Sequence, residues 1–441
     1  LCLSYLVAAN AGTGRAATEL GGQNSAARSK RKRRYGRVPA QLDGLPKAFW
    51  WLWFGTLVNR AGTFIEPFFV LYLTGPRGVS VTTAGLVLTV WGLGSLISQP
   101  VGGVLTDRYG RRATLATSLT ATALVLFVLS LARNLWLIAG LVFVLGLVAD
   151  MYRPASTAAV ADLVTGRDRT RAYALQFWAI NLGFSVASVA AGVLLHFGFG
   201  LLFILDAATT LAFGMLALRF VPETRPESEE RPARLADPLR LLRTDRLLLI
   251  ATSLVLVYAI LYSQVNVVLP LAIVHAGLSA STYGYLIAIN GILIVFVQPL
   301  SLGLLSRWSR RITLPVGMAL VGVGVAATGL CHAAWQFALT VVVWTIGEIG
   351  TAGSFQALIA SLAPEHMRGR YAGALGLAWG ASGLVAPLLG TGGYALSPGL
   401  LWMICLVAGL TAAAGQYWLV DAIDRREPAR DGRQSPTSQS G

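Results

Sequence analysis

The chain has 441 residues, 55% of them hydrophobic and only 12% charged, with mean hydropathy +0.63 and formal net charge +15. Soluble domains carry about twice that share of charge, so the composition points to a membrane protein and argues against a soluble enzyme. Three cysteines (Cys2, Cys331, Cys405) and four histidines are scattered, so neither a disulfide framework nor a metal site is expected.

Residues 1–46 read as a disordered basic tail outside the fold. Its opening run, Leu1 to Ala9, is too short to span a bilayer. Arg28 to Arg34, RSKRKRR, reads as a solvated positive-inside arm, with a lipid-surface anchor as the alternative. From Phe49 onward twelve apolar runs of spanning length follow, at 48–73, 82–105, 114–132, 135–157, 172–195 and 199–220, then 247–274, 281–304, 313–331, 335–358, 371–394 and 399–421. At 1.5 Å per helical residue each can cross about 30 Å of hydrocarbon. The expected domains are a six-helix bundle over 47–221, a polar, proline-bearing linker over 222–246, a second bundle over 247–421 and a disordered tail over 422–441.

Charge distribution sets the expected orientation. With both termini inside, 32 of the 35 Lys and Arg fall on the inner tails, loops and adjoining helix ends. That is the positive-inside pattern. The positive charge is therefore topological, and no nucleic-acid partner is expected.

The chain also repeats itself. Gln99 to Leu115 reads QPVGGVLTDRYGRRATL, and 199 residues later Gln298 to Leu314 reads QPLSLGLLSRWSRRITL, with eight of 17 positions identical. A loop duplicated at that spacing implies two homologous halves, and such membrane repeats mark transporters.

An ionisable group inside a membrane helix is costly and should face a cavity or a partner. Five lie inside the predicted spans: Arg60 and Glu66 in the first, Asp150 in the fourth, Asp206 in the sixth and Glu348 in the tenth. Asp150 and Glu348 are 198 residues apart, near-equivalent places in the two repeats. Arg60 cannot shed its charge and needs an acidic neighbour. Glu66 lies on another face of the same helix, so Asp150 is the expected partner. Glu66 and Glu348 then have no fixed cation, and a desolvated carboxyl of that kind can exchange a proton near neutral pH. Asp206 is read as structural. The first-span aromatics from Phe49 to Phe54 read as an interfacial belt, whereas Phe64, Phe68 and Phe69 could meet an apolar substrate.

Gly103-Val104-Leu105-Thr106-Asp107-Arg108-Tyr109-Gly110-Arg111-Arg112 resembles the loop signature of the major facilitator superfamily, Gly-x-Leu-Ala-Asp-Arg-x-Gly-Arg-Arg, departing only at Thr106. The second copy lacks the acid (Ser306) and the second glycine (Ser309). The resemblance implies an all-α membrane fold of twelve helices in two pseudo-symmetric six-helix bundles, working by alternating access, with helices one, four, seven and ten around a central cavity. On that basis Arg60, Phe64, Phe68, Gln264, Asn266, Asn290 and Gln356 are candidate cavity residues. Gly103, Asp107, Arg108, Gly110, Arg111, Arg112 and Arg153 form a candidate conformational gate, with Arg153 pairing Asp107. Many proton-coupled drug exporters of the family carry an acid on helix one and a Gly-Glu pair on helix ten, here Gly347-Glu348. This implies proton-coupled efflux of amphipathic or cationic compounds, with Glu66, Glu348 and Asp150 in proton coupling.

Two family signatures are incomplete: Val142 stands where helix four should carry an arginine, and the Gly183 stretch of helix five lacks the Gly-Pro of antiporters. The alternatives are a proton-coupled importer of a sugar, peptide or organic anion, with Arg60 holding the anionic group, and a non-transporting membrane sensor. An enzyme is not expected, because the outer loops are short and carry no His/Asp/Cys cluster. The expected partners are a small molecule, protons and the lipid bilayer. No cofactor is expected, and the chain should act as a monomer in the cytoplasmic membrane.

Overall fold

The structure, a computed structural model, describes residues 45–164, 168–224, 236–305, 309–351, 354–363 and 368–431. It is built of helices. The N-terminal half contains α1 (Lys47–Ala61), α2 (Ile65–Thr74), α3 (Val81–Tyr109), α4 (Arg111–Leu131), α5 (Leu135–Ala149), α6 (Tyr152–Leu163), α7 (Asp168–Leu194) and α8 (Phe199–Phe220). After a short α9 (Ala236–Thr244) the C-terminal half follows with α10 (Arg246–Val267), α11 (Leu269–His275), α12 (Ala280–Leu305), α13 (Arg310–Ala327), α14 (Ala334–Thr351), α15 (Ser354–Leu362), α16 (Arg368–Leu396) and α17 (Pro398–Asp431). The halves correspond element by element, as the repeated loop implied. The basic run Arg28–Arg34, the tail from 432 and Ser306 lie outside the described residues.

Ten helical stretches are long and apolar enough to cross a membrane, two of which join α5 to α6 and α10 to α11. The expected twelve differ at the first span, which is divided into α1 and α2; the tenth expected span carries α14 and α15, and residues 352–353 between them lie outside the described ones.

The interruptions have a local cause. Proline lacks an N–H, and its ring clashes with the carbonyl four residues back. Pro67, Pro154 and Pro270 each sit in the first turn of the second segment, at α2, α6 and α11. Proline alone does not decide the matter, because Pro100, Pro315 and Pro387 lie inside continuous helices. At the first break the freed backbone finds a partner: Ile65 N–H donates to Asp206 Oδ2 at 3.3 Å. Broken helices with polar partners at their breaks are the form that membrane binding sites take.

Across the halves α3 packs on α16, α7 packs on α12, and α2 packs on α10 and α11. These seams need small residues, since close packing rather than hydrophobicity holds helices together in lipid. At Gly92 a Cβ would sit 2.1 Å from the Gly383 carbonyl oxygen, so only glycine fits there. Phe68 meets Tyr283 edge-on at 5.3 Å across the halves. Towards the end carrying the charged loops, Gly103 and Gly376 face open space.

Candidate functional site

Between the halves lies a cavity of about 330 Å³, lined by α1–α8 on one side and by α10, α12, α14 and α16 on the other. Its volume falls in the range of small-molecule sites. Four carboxyls line it (Glu66, Asp150, Asp206 and Glu348), together with two guanidinia, Arg60 and Arg153.

On the N-terminal wall the charges are close-set. Arg60 Nη2 donates to the Tyr152 hydroxyl, and Arg153 Nε lies 2.7 Å from Asp150 Oδ1. The expected Arg60–Asp150 pair is not formed. The break before α6 turns Asp150 back towards Arg153, three residues on, and brings Tyr152 to Arg60 instead. Glu66 stands in the first turn of α2, where the helix N-terminus favours a negative charge. Asp206, expected as a structural residue on a peripheral helix, is a cavity residue that also caps α2. Asn59 Nδ2 donates to Thr210 Oγ1 at 2.9 Å, tying α1 to α8 behind it.

Among the described residues the C-terminal wall has one carboxyl in the cavity, Glu348, and it is held by neutral donors. Tyr262 Oη donates to Oε1 at 2.8 Å, and Asn290 Nδ2 donates to Oε2 at 2.7 Å and to Thr345 Oγ1 at 3.1 Å. The donors come from α10 and α12 and the carboxylate from α14, so this contact ties three helices together. Among the described residues the only basic side chains lining the cavity are Arg60 and Arg153, both on the opposite half. Asn266 lines the cavity as expected and accepts from the Tyr283 hydroxyl at 3.1 Å.

Other candidates fall elsewhere. Phe64, Phe68 and Phe69 are buried in the packed interior rather than facing the cavity, because α2 turns its aromatic face onto α3, α8 and α12. Gln264 donates to the Ile260 and Ala386 carbonyls at 2.9 and 3.3 Å and serves as a tie between α10 and α16. The side chain of Gln356 lies outside the described residues. Sequence reasoning missed Tyr152, Tyr262 and Trp379 as cavity residues, and nothing in the spacing of the 13 tyrosines marks those two.

At the charged-loop end the expected Asp107–Arg153 pair is not formed. Asp107 is exposed and lies 3.9 Å from Arg111, whose Nε donates to Asp162 Oδ2 at 2.9 Å. Gly110 takes φ +98°, a left-handed conformation that favours glycine. A Cβ there would also strike the Glu223 carboxylate, 2.3 Å away. That carboxylate accepts from the N–H groups of Arg111 (2.6 Å) and Ala113 (3.3 Å), capping α4. Arg108 and Arg112 are exposed, and Arg108 lies over the Tyr109 ring.

A polar cavity between two equivalent helical halves, with broken helices in its wall, is the geometry of a membrane carrier. The Na(+), Li(+), K(+)/H(+) antiporter of Planococcus maritimus is 23% identical over 365 residues, 75% of this chain and 85% of that protein. Multidrug resistance protein MdtH of Yersinia pestis (strain Pestoides F) is 26% identical over 390 residues, 86% and 95% of the two chains. Among solved structures, a POT family transporter in complex with a thioalcohol conjugated peptide superposes with a TM-score of 0.74 at 16% identity, covering 87% of this chain and 98% of that one. The family model described as Major Facilitator Superfamily matches residues 52–387 and 261–438. The chain therefore belongs to the Major Facilitator Superfamily, as an integral membrane transporter and not an enzyme.

Proposed function

We propose that this transporter exports amphipathic, cationic compounds across the cytoplasmic membrane in exchange for protons. In this reading both termini face the cytoplasm. The observation that carries the reading is Glu348, a buried carboxyl in the cavity wall whose partners are the neutral Tyr262 and Asn290. A carboxylate without a bound cation can take up either a proton or a cationic cargo, and exchange requires that choice. The multidrug and cation/proton antiporter relatives support the same class.

The test uses protein reconstituted in vesicles and a panel of fluorescent lipophilic cations. An imposed pH gradient should drive several unrelated members of the panel. Glu348→Gln should reduce that movement to the protein-free background while the protein stays folded. Unchanged driven movement in the variant would overturn the assignment.

One observation favours a second reading. Arg60 Nε is buried and without a hydrogen-bond partner, so a cargo carboxylate or phosphate could complete it, as an importer of a peptide or organic anion would require. Arg60→Lys loses the bidentate fork, so it should weaken uptake of anionic solutes most and leave lipophilic cations nearly unaffected.

A further inference from the structure

The cavity wall around Glu348 has a second component that the exchange reading does not use. Tyr262 and Trp379 both line the cavity, with ring centroids 6.2 Å apart and planes at 79°, forming an aromatic corner. Trp344 backs it, edge-on to Tyr262 at 6.0 Å, and Tyr258 lies parallel to Tyr262 at 6.2 Å. Trp344 and Tyr258 are fully buried, so Tyr262 is held in place from behind. The same Tyr262 donates its hydroxyl to Glu348 Oε1 at 2.8 Å, which fixes the carboxylate against the corner. Asn290 holds the other oxygen. A carboxylate has about four acceptor positions, so these two bonds leave capacity for a ligand.

We infer that Tyr262, Trp379 and Glu348 form one subsite for a quaternary or otherwise permanently cationic head-group. This deepens the exchange reading and rests on it. Aromatic faces attract a cation through their quadrupole, most strongly for tryptophan, while the carboxylate supplies the counter-charge. The three residues come from α10, α16 and α14, so a bound cation contacts three helices of one half. On the opposite wall the aromatic residues Trp91, Tyr152 and Phe184 share the cavity with two fixed cations, Arg60 and Arg153, which repel a cationic group. The cationic end of an amphipathic cargo therefore sits on the C-terminal half, and its apolar remainder points towards the N-terminal half.

The probe is tetraphenylphosphonium, which carries a fixed charge and has no proton to lose. Its equilibrium binding to the purified full chain in lipid nanodiscs is compared for native protein, Trp379→Phe and Trp379→Leu, each first shown to be monodisperse. Expected is a graded loss, modest for phenylalanine and roughly 3- to 30-fold for leucine, the range of a cation–ring contact. Binding by Trp379→Leu as tight as native would overturn the subsite while leaving proton-driven export intact. Should Trp379→Leu fail to fold, an unchanged affinity in Trp379→Phe and in Tyr262→Leu would overturn it equally. Native protein that neither binds nor transports the probe would overturn the subsite and the exporter reading together.

Discussion

The two walls of the cavity treat buried charge differently. On the N-terminal wall guanidinium and carboxylate alternate, with Asp150 against Arg153 and Tyr152 on Arg60. On the C-terminal wall a single carboxyl is satisfied by a phenol and an amide. A paired charge holds a helix break in shape. A charge held by neutral donors can change its protonation without leaving a counter-ion stranded. In the proposed reading, the first wall serves mainly structure and the second exchange.

Substitutions can break that comparison. The largest effect should come from Glu348→Gln, with gradient-driven movement falling at least about tenfold, the scale of losing a single required proton carrier. Its thermal midpoint should stay close to native, because glutamine keeps an acceptor for Tyr262 or Asn290. Asp150→Asn should behave in the opposite way: it removes the negative charge that Arg153 meets at 2.7 Å and should lower stability by about 3 kcal/mol, read as a fall in thermal midpoint in detergent. Tyr152→Phe removes the hydroxyl that meets Arg60 and should cost about 1–3 kcal/mol, read in the same assay, with transport reduced less than in Glu348→Gln. The smallest effect is expected outside the cavity, at Gly110→Ala. There the left-handed backbone and the lost Glu223 cap should cost about 1–2 kcal/mol. A Glu348→Gln protein that is destabilised but still coupled, or an Asp150→Asn protein that is stable but uncoupled, would reverse the assignment of the walls.

The fold was legible for reasons that can be named. Apolar runs of spanning length, the 199-residue echo of the charged loop and the distribution of basic residues are one-dimensional signals with direct physical causes. The broken helices also have a trace in the chain, because Pro67, Pro154 and Pro270 each follow by one to four positions a polar residue of the cavity wall, Glu66, Arg153 and Asn266. Pro100 and Pro387 show why that signal alone was insufficient. The acids of the site were legible because carboxyls are rare in apolar helices, and Glu66, Asp150 and Glu348 all reach the cavity. Their partners were not. Whether Arg60 meets Asp150 or Tyr152 depends on how α6 leaves its break, and whether Phe68 faces a cargo or Tyr283 depends on the rotation of α2. Both are properties of packing between segments distant in sequence, which no local pattern encodes.

The Glu223 cap fixes where the N-terminal half stops. By accepting from the Arg111 and Ala113 N–H groups, it ties the chain leaving α8 to the start of α4. Among the described residues the halves meet where α3 packs on α16, α7 on α12, and α2 on α10 and α11. Any rotation of one half against the other has to be taken up along those lines of contact, and on the first of them the backbone at Gly92 lies too close to the Gly383 carbonyl to admit a side chain.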